Sequence, residues 1–216
     1  MAITVLLTGF GPFPGAPTNP TGALVRALAQ LRRPALAEVR LVPHVFATSY
    51  RAVDRELPQL LATLKPDVLL MFGLSGRASC LRVETRARNA LSGYRDVEGQ
   101  AALKTCITPG GPAALAFAIP AEKLARAVRD AGVGVATSRD AGRYLCNYLS
   151  WRAIEATRRP GGPALAAFIH VPRLRHGASR TGGKPAWRMS GLLRGGEAIL
   201  LAALAEARRR RHMTKR

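Results

Sequence analysis

Ile3-Thr-Val-Leu-Leu-Thr8 is a short apolar run that leads into the turn-forming stretch Gly9-Phe-Gly-Pro-Phe-Pro-Gly15. Its length, its β-branched residues and the glycines and prolines that follow it predict a buried β-strand. Outward from this run, segments of helical and strand periodicity alternate: helix 20–31, strand 39–42, helix 48–64 and strand 68–72. This alternation is typical of βαβ units and predicts a largely parallel sheet.

The alternation resumes after a polar middle section. The patterns predict strand 81–87, helix 121–131, strand 133–137, a helix running through Cys146 to residue 158, strand 165–170 and helix 190–210. With 216 residues, 48% of them hydrophobic, the chain is long enough for one sizeable core. We therefore expect an α/β fold, a single three-layer α/β/α domain over residues 1–216 with a mostly parallel twisted sheet and a basic carboxy-terminal tail at 208–216.

Positive charge is the most unusual property of the composition. The formal net charge is +20 at neutral pH, from 28 arginines and 5 lysines against 13 acidic residues. Such a surface attracts polyanions, including nucleic acid. Apart from the run at 208–211 the arginines are dispersed, however, and compositional bias explains them more simply than a selected polyanion partner.

The cysteines and the hydropathy pattern indicate the compartment. Cys80, Cys106 and Cys146 form neither a disulfide framework nor a paired metal-binding motif. No stretch approaches the ~20 apolar residues of a membrane span, and the amino terminus lacks the basic segment of a secretory signal. We expect a cytoplasmic protein with no membrane partner.

The turn after the first strand allows two functional interpretations. A glycine-rich turn between a strand and a helix is typical of nucleotide binding, but the glycine spacing departs from the dinucleotide pattern and two prolines remove backbone donors. Alternatively, Phe10 and Phe13 form the walls of a site for a small, flat, apolar ligand. Packing of both rings in the core is the explanation that needs no ligand.

Cys146 and His170 lie in segments suited to a thiol nucleophile and its base. Cys146 follows Asp140-Ala-Gly-Arg-Tyr-Leu, and Ser138 or Asp140 is placed to cap a helix whose dipole would favour a thiolate. His170 ends an apolar strand just before Val-Pro, at the edge where α/β sheets bind ligands. Each residue alone is more often an inert buried side chain, but the two segments together lead us to expect a nucleophile–base pair.

Glu84 is the third candidate of this group. It lies in Leu81-Arg-Val-Glu-Thr, where a buried carboxylate needs a partner. It either orients the His170 imidazole and completes a triad, or lies on the surface bridged to Arg82 or Arg86. The weaker candidates for a base are His44, His176 and His212.

Together these segments resemble the pyroglutamyl peptidase I family of cysteine peptidases, also called pyrrolidone carboxyl peptidases. The matching segments cover nearly the whole chain: Thr8-Gly-Phe-Gly-Pro-Phe13 with Asn19-Pro20, Gly73-Leu-Ser-Gly-Arg77, Val83-Glu84, Asp140 to Asn147, and Phe168-Ile-His-Val-Pro172. The resemblance implies that Cys146 is the nucleophile, His170 the general base and acid, and Glu84 the group that orients the imidazole. It also implies that Phe10 and Phe13 line the pocket for the pyroglutamyl lactam.

The reaction implied by the resemblance is acyl transfer, which releases pyroglutamate from the amino terminus of a peptide. The thiolate attacks the pyroglutamyl carbonyl, backbone amides near the helix start stabilise the oxyanion, and His170 protonates the departing amine. No metal or organic cofactor is implied, and the partners are peptides with an amino-terminal pyroglutamyl residue. Family members often self-associate, and the sequence leaves open whether this chain forms a homo-oligomer.

Two loops depart from the bacterial pattern. Bacterial members carry an arginine close to the reaction centre in the loop that corresponds to residues 89–99, and here Tyr94 and Arg95 are the candidates for that place. The basic, glycine-containing loop 173–184 follows His170 and is placed to cover the site.

Two rival hypotheses use the same scaffold. In the first, the triad is vestigial and the arginine-rich surface, including residues 208–211, binds nucleic acid or another polyanion. In the second, the chain is a hydrolase or phosphorylase acting on a different small heterocycle, since a fold does not fix a function.

Overall fold

The computed structural model describes residues 2–102, 104–174 and 187–214. Within these ranges the helices and most of the strands follow the order that the sequence predicts, and the middle section adds short strands. The elements are β1 (Ile3–Phe10), α1 (Thr21–Ala29), β2 (Val39–Phe46), α2 (Tyr50–Leu64), β3 (Val68–Leu74), β4 (Leu81–Glu84), β5 (Arg86–Arg88), β6 (Ala114–Ala116), α3 (Ala121–Asp130), β7 (Val135–Ser138), α4 (Leu145–Thr157), β8 (Leu165–Val171) and α5 (Met189–Thr214). A short 3-10 helix, Pro34–Leu36, precedes β2.

Six of the strands form one mixed sheet in the order β2-β1-β3-β8-β4-β7. The pairs β1–β2, β1–β3, β3–β8 and β4–β7 are parallel, and only β4–β8 is antiparallel among the described strands of this sheet. The predicted α/β fold with a mostly parallel sheet is therefore confirmed. Strand β8, which carries His170, lies inside the sheet rather than at an edge.

Helices pack against the sheet in two groups, which gives the predicted three layers. Helices α1 and α3 both contact α5, whereas α2 contacts α4. A strand covered on both faces has no polar side, so it is apolar throughout instead of alternating. All seven residues of β8 are buried, and in β3 every residue but the last is.

The predicted strand at 81–87 is wrong in one respect, because it is divided between two sheets. Strand β4 ends at Glu84 and joins the main sheet, while β5 pairs with β6 in a separate two-stranded ribbon. At the division, the Thr85 backbone N–H donates to the Ser138 carbonyl oxygen at 2.7 Å. Strand β6 has three residues, too few to produce a recognisable alternation in the sequence.

The basic carboxy-terminal segment that begins at residue 208 lies in the last turns of the final helix as far as residue 214. Helix α5 continues to Thr214, and the four arginines at 208–211 contact other parts of the chain. The contacts are Arg208 with the Ala35 carbonyl, Arg209 with Glu206, Arg210 with Glu206 and the Ala118 carbonyl, and Arg211 with Asp67. These guanidinium groups stabilise the last turns of the helix, where cations also complement the helix dipole. None of the helices in the described ranges is long and apolar enough to cross a bilayer.

Glu206 is the centre of this arrangement, and its removal is expected to destabilise the protein. The residue is 1% exposed, and its carboxylate accepts from Arg209, Arg210 and Lys123, of which Lys123 lies on α3. The hydrogen bond from Arg209 is the main reason that the pKa of Glu206 is far below its ordinary value of 4.5, although burial opposes the shift. A carboxyl group with a lowered pKa stabilises the folded state above its unfolded pKa, and this contribution disappears as the pH falls.

We therefore expect Glu206→Gln to lower the melting temperature at neutral pH, since the substitution leaves three clustered, partly exposed cations without the buried carboxylate that they share. The difference from the unsubstituted protein should narrow as the pH falls through about 4.5 and below, because protonation of Glu206 removes from the unsubstituted protein the charge that the variant already lacks. Thermal unfolding monitored by circular dichroism over this pH range measures the effect. Glu38→Gln at an exposed position is the matched control, and an equal effect of both substitutions would contradict the assignment.

Candidate active site

The carboxyl ends of β3 and β8 bring Gly73 next to His170. These two residues are register partners in the parallel pair β3–β8, and neighbouring strands lie about 4.8 Å apart. A Cβ atom at Gly73 would lie 2.8 Å from the Cys146 Sγ and 2.6 Å from the Phe168 ring. The thiol of Cys146 therefore rests directly on the Gly73 backbone, beside the strand end that carries His170.

His170 is held on its other side by Glu84. The Nδ1 atom of His170 lies 2.8 Å from the Glu84 Oε1, and the exposed fractions of the two residues are 6% and 1%. Strand β4 runs antiparallel to β8 with Glu84 opposite Phe168, which allows the carboxylate to reach the imidazole. The alternative of a surface Glu84 bridged to arginine is wrong: Arg82 donates to the Ser138 Oγ and Arg86 to the Arg139 carbonyl.

The electrostatic surroundings of His170 favour the imidazolium form. Burial by itself would lower the pKa of His170, but electrostatic and hydrogen-bonding interactions with Cys146 and with Glu84 outweigh it and raise the pKa to about 9. A histidine with this pKa is protonated at neutral pH. An imidazolium beside a thiolate is the ion pair that cysteine nucleophiles use.

Helix α4 begins later than the sequence predicts. Its first residue is Leu145 and its N-cap is Tyr144, with no side-chain cap, so the prediction that Ser138 or Asp140 caps it is wrong. Ser138 belongs to β7, and the Asp140 Oδ1 accepts from the Gly142 backbone N–H within the connecting loop. Cys146 is nevertheless in the first turn, where backbone N–H groups have no intrahelical acceptor and the helix dipole favours negative charge.

Asn147 fixes the start of α4 against the neighbouring backbone. Its Oδ1 accepts from the Arg88 N–H at 2.8 Å, and its Nδ2 donates to the carbonyl oxygens of Arg88 and Ala90 at 2.8 and 3.0 Å. The residue is fully buried, so all three bonds form away from competing water. The position of Cys146 thus depends on a side chain adjacent to it in sequence.

The turn after β1 carries the two predicted pocket residues in different surroundings. Phe10 is 3% exposed and packs against Phe46, with ring centroids 6.1 Å apart, so this ring is part of the core. Phe13 is partly exposed. Because the backbone N–H groups of Phe10, Gly11 and Phe13 donate to Thr21, Phe46 and Ala16 respectively, they are not free to bind a phosphate.

Tyr94 and Arg95, the candidates for the missing bacterial arginine, differ in what they contact. The Arg95 guanidinium donates to the Gly99 carbonyl oxygen within its own loop. The Tyr94 ring, whose residue is 74% exposed, packs edge-on against Tyr144. Tyr144 precedes Cys146 by two positions and donates its hydroxyl hydrogen to the Arg95 carbonyl. Of the two side chains, Tyr94 is therefore the one that packs beside the start of α4.

Gly73 and the start of the loop 173–184 complete the surroundings of the candidate site. The close approach of the Gly73 backbone to the Cys146 thiol and to the Phe168 ring was not predicted, although Gly73 and Phe168 lie in the segments that carry the family resemblance. Residues 175–184 of the loop 173–184, with His176, lie outside the described residues. Arg173 and Leu174, at the start of that loop, are described.

Comparison with known proteins identifies the family. The pyroglutamyl peptidase family model matches residues 3–206. The chain belongs to the pyroglutamyl peptidase family. As a member of this family it is a cysteine-type hydrolase, and the resemblance inferred from the sequence is confirmed.

Relatives of the pyroglutamyl peptidase family match most of the chain. The pyrrolidone-carboxylate peptidase of Cupriavidus taiwanensis is 34% identical over 205 residues, which cover 94% of this chain and 93% of the relative. That of Pyrococcus furiosus is 32% identical over 170 residues, covering 78% of this chain and 80% of the relative.

Solved structures agree with the family assignment. The pyrrolidone carboxyl peptidase from Thermococcus litoralis superposes with a TM-score of 0.85 at 26% identity and covers 97% of this chain and 96% of its own. A variant of the Pyrococcus furiosus enzyme gives a TM-score of 0.84 at 27% identity, covering 94% and 99% of the two chains. The fold of the pyroglutamyl peptidases thus extends over nearly all of this chain.

Proposed function

We propose that this protein removes an amino-terminal pyroglutamyl residue from peptides, with Cys146 as nucleophile, His170 as general base and acid, and Glu84 as the residue that orients the imidazole. The single observation that carries the proposal is the buried Glu84–His170 pair at 2.8 Å beside a thiol in the first turn of a helix. A nucleophile, a base and an orienting third group in this order constitute the general arrangement of nucleophilic catalysis.

Acylation begins at the Cys146 sulfur. The thiolate attacks the carbonyl carbon of the pyroglutamyl residue and forms a tetrahedral oxyanion. The free N–H groups of the first turn of α4 are the donors available to this oxyanion, and the helix dipole adds to their effect. When the intermediate collapses, the C–N bond breaks, the His170 imidazolium gives its proton to the departing amine, and a thioester remains on Cys146.

Deacylation uses the same imidazole in the opposite direction. Neutral His170 takes a proton from water, and the resulting hydroxide attacks the thioester carbonyl. Collapse of the second intermediate releases pyroglutamate and restores the thiolate–imidazolium pair. Glu84 keeps Nδ1 engaged at 2.8 Å during both proton transfers, so the other ring nitrogen faces the reaction.

The proposed pocket for the lactam is the turn that carries Phe13, beside the core ring of Phe10. A pyroglutamyl residue has no charged α-amine, so its pocket requires apolar walls and a few hydrogen-bonding groups rather than a carboxylate. The described part of this turn, residues 11–19, contains no acidic residue and three prolines. Its chemistry therefore suits a neutral five-membered ring.

The proposal is tested by measuring the release of a fluorescent amine from a pyroglutamyl amide and, for comparison, from a prolyl amide. We expect turnover of the pyroglutamyl amide and at least about 100-fold lower kcat/KM for the prolyl amide, because the lactam carbonyl is absent and its hydrogen-bonding partners stay unpaired. The reduced protein must be used so that the thiol is free. Equal turnover of both amides, or of neither, would contradict the proposed substrate class.

A further inference from the structure

The turn that carries Phe13, defined here as residues 12–18, is held at its base by hydrogen bonds to the neighbouring backbone. At the base, the Gly11 N–H donates to the Phe46 carbonyl at 2.8 Å and the Asn19 Nδ2 donates to the Gly11 carbonyl at 3.0 Å. Within the turn, Phe13 and Ala16 exchange two backbone hydrogen bonds of 3.2 and 2.7 Å. These bonds define the shape of the Phe13 turn but do not fix its tip against the rest of the molecule.

Arg173 supplies a contact at the tip. Its Nη2 donates to the Gly15 carbonyl oxygen at 2.8 Å. Among the described residues this is the one hydrogen bond that joins the Phe13 turn to the chain outside it and outside its base. Gly15 also lies against the Phe13 ring, since a Cβ atom at Gly15 would be 3.1 Å from that ring.

The same guanidinium crosses the loop after β3. A Cβ atom at Gly76 would lie 3.1 Å from the Arg173 Nε and 3.4 Å from its Nη2. The absence of a side chain at Gly76 thus gives the guanidinium a surface to lie on. Since Arg173 follows His170 by three positions, one side chain connects the loops that follow β1, β3 and β8.

We propose that Arg173 is a positioning residue that holds the Phe13 turn in place for the lactam. The inference rests on the proposed role of Phe13 in lactam binding. The prolines at 12, 14 and 17 restrict the internal conformation of the turn, but a stiff turn hinged at its base still moves as a unit. Arg173 couples the position of the tip to the strand end that carries the imidazole.

The expected effect is on substrate binding rather than on the chemical step. A turn that is held before binding loses less conformational freedom when the lactam arrives, so preorganisation increases affinity. Loss of binding energy shared by the ground state and the transition state raises KM and leaves kcat nearly unchanged. A contact of Arg173 with the developing charge would instead lower kcat.

The experiment compares Arg173→Ala with Arg77→Ala. Arg77 is an exposed arginine in the loop after β3, and its substitution removes the same charge from the same edge of the sheet. We expect Arg173→Ala to raise KM for the pyroglutamyl amide about tenfold with little change in kcat, and Arg77→Ala to leave both nearly unchanged. Arg173→Lys should restore part of the affinity, because an ammonium retains one donor for the Gly15 carbonyl.

A double-substitution cycle with Phe13→Ala decides whether Arg173 acts through the turn. If it does, Arg173→Ala should raise KM by much less in the Phe13→Ala background than in the unsubstituted protein. Fully additive effects, an unchanged KM, or an equal effect of Arg77→Ala would overturn the proposal. Should Arg173→Ala fail to fold, the cycle is made with Arg173→Lys.

Calorimetric measurement of the binding of free pyroglutamate tests the role of Arg173 independently of the proposed catalytic function. The dissociation constant requires no turnover, so it tests the Arg173–Phe13 coupling even if the amide is not hydrolysed. The positioning role is supported if Arg173→Ala weakens the affinity for pyroglutamate in the unsubstituted protein but has no further effect on it in the Phe13→Ala background. An unaltered affinity contradicts it, whatever the activity of the protein.

Discussion

Replacing Cys146 by alanine is expected to abolish release of the amine from a pyroglutamyl amide, with a loss of about 10⁴-fold or more in kcat. The physical reason is that the proposed reaction forms its thioester on the Cys146 sulfur, which rests on Gly73 beside the His170 strand end. Removing the nucleophile of a catalytic triad lowers kcat by at least this factor. The Cys146→Ala protein should melt within a few degrees of the unsubstituted protein, since the change removes one partly exposed sulfur atom.

Cys106→Ala is the matched control for this substitution. Cys106 is also a free, partly exposed cysteine, so its loss changes the thiol content equally without touching the proposed site. Alkylation with iodoacetamide provides a second measurement: the labelled position should be Cys146, because a cysteine at the start of a helix and beside an imidazolium is in the surroundings typical of reactive cysteines. Activity that survives in a folded Cys146→Ala protein would exclude this cysteine as the nucleophile.

Replacing Glu84 by glutamine is the second change with a large expected effect. The amide preserves the size of the side chain and an acceptor for the His170 Nδ1, but it removes the charge that lies 2.8 Å from the ring. We expect kcat/KM to fall about 100-fold or more, since an orienting carboxylate also stabilises the imidazolium that forms during the reaction.

The pH profile distinguishes this electrostatic role from simple loss of structure. Burial lowers the pKa of His170, and the charges of Cys146 and Glu84 raise it to about 9. Activity of the unsubstituted protein should therefore decline as the pH rises through about 9, where the imidazolium loses its proton. In Glu84→Gln this decline should begin at a lower pH, because one of the two charges that raise the pKa is absent.

Glu84→Asp serves as the control that retains the charge. Its shorter side chain should lower the rate by misplacing the imidazole while keeping the alkaline decline closer to that of the unsubstituted protein. An alkaline decline at the same pH in all three proteins would contradict the assignment of the raised pKa to Glu84. The measurement is kcat/KM for the pyroglutamyl amide at each pH in the range where the proteins remain folded.

His170 should also contribute to the stability of the fold, and the pH dependence of its contribution should be opposite to that of Glu206. The folded pKa of His170 is raised from 6.5 to about 9, so the stabilisation is fully present below about 6.5. It is lost as the pH rises through about 9. The Glu206 contribution, in contrast, is lost toward acid. These two buried groups lie at different places in the fold, so their substitutions are expected to act independently.

The sequence by itself determined the layer architecture and the segments that carry the chemistry. Strands such as β3 and β8 are covered by helices on both faces, so they appear as uninterrupted apolar runs that periodicity detects without knowledge of their neighbours. The amphipathic helices between them are equally local signals. The segments around Cys146 and His170 were distinctive for the same reason, because each combines an apolar element with a reactive side chain at its end.

Only the tertiary structure decided how these segments meet. The Glu84–His170 bond joins residues 86 positions apart, and it forms because β4 inserts antiparallel beside β8, which no local pattern indicates. The late start of α4, the division of residues 81–87 between two sheets and the contact of Arg173 with the Phe13 turn depend likewise on distant backbone. Periodicity records which face of a segment is buried, whereas strand order, register and the partner of each polar group follow from packing of the whole chain.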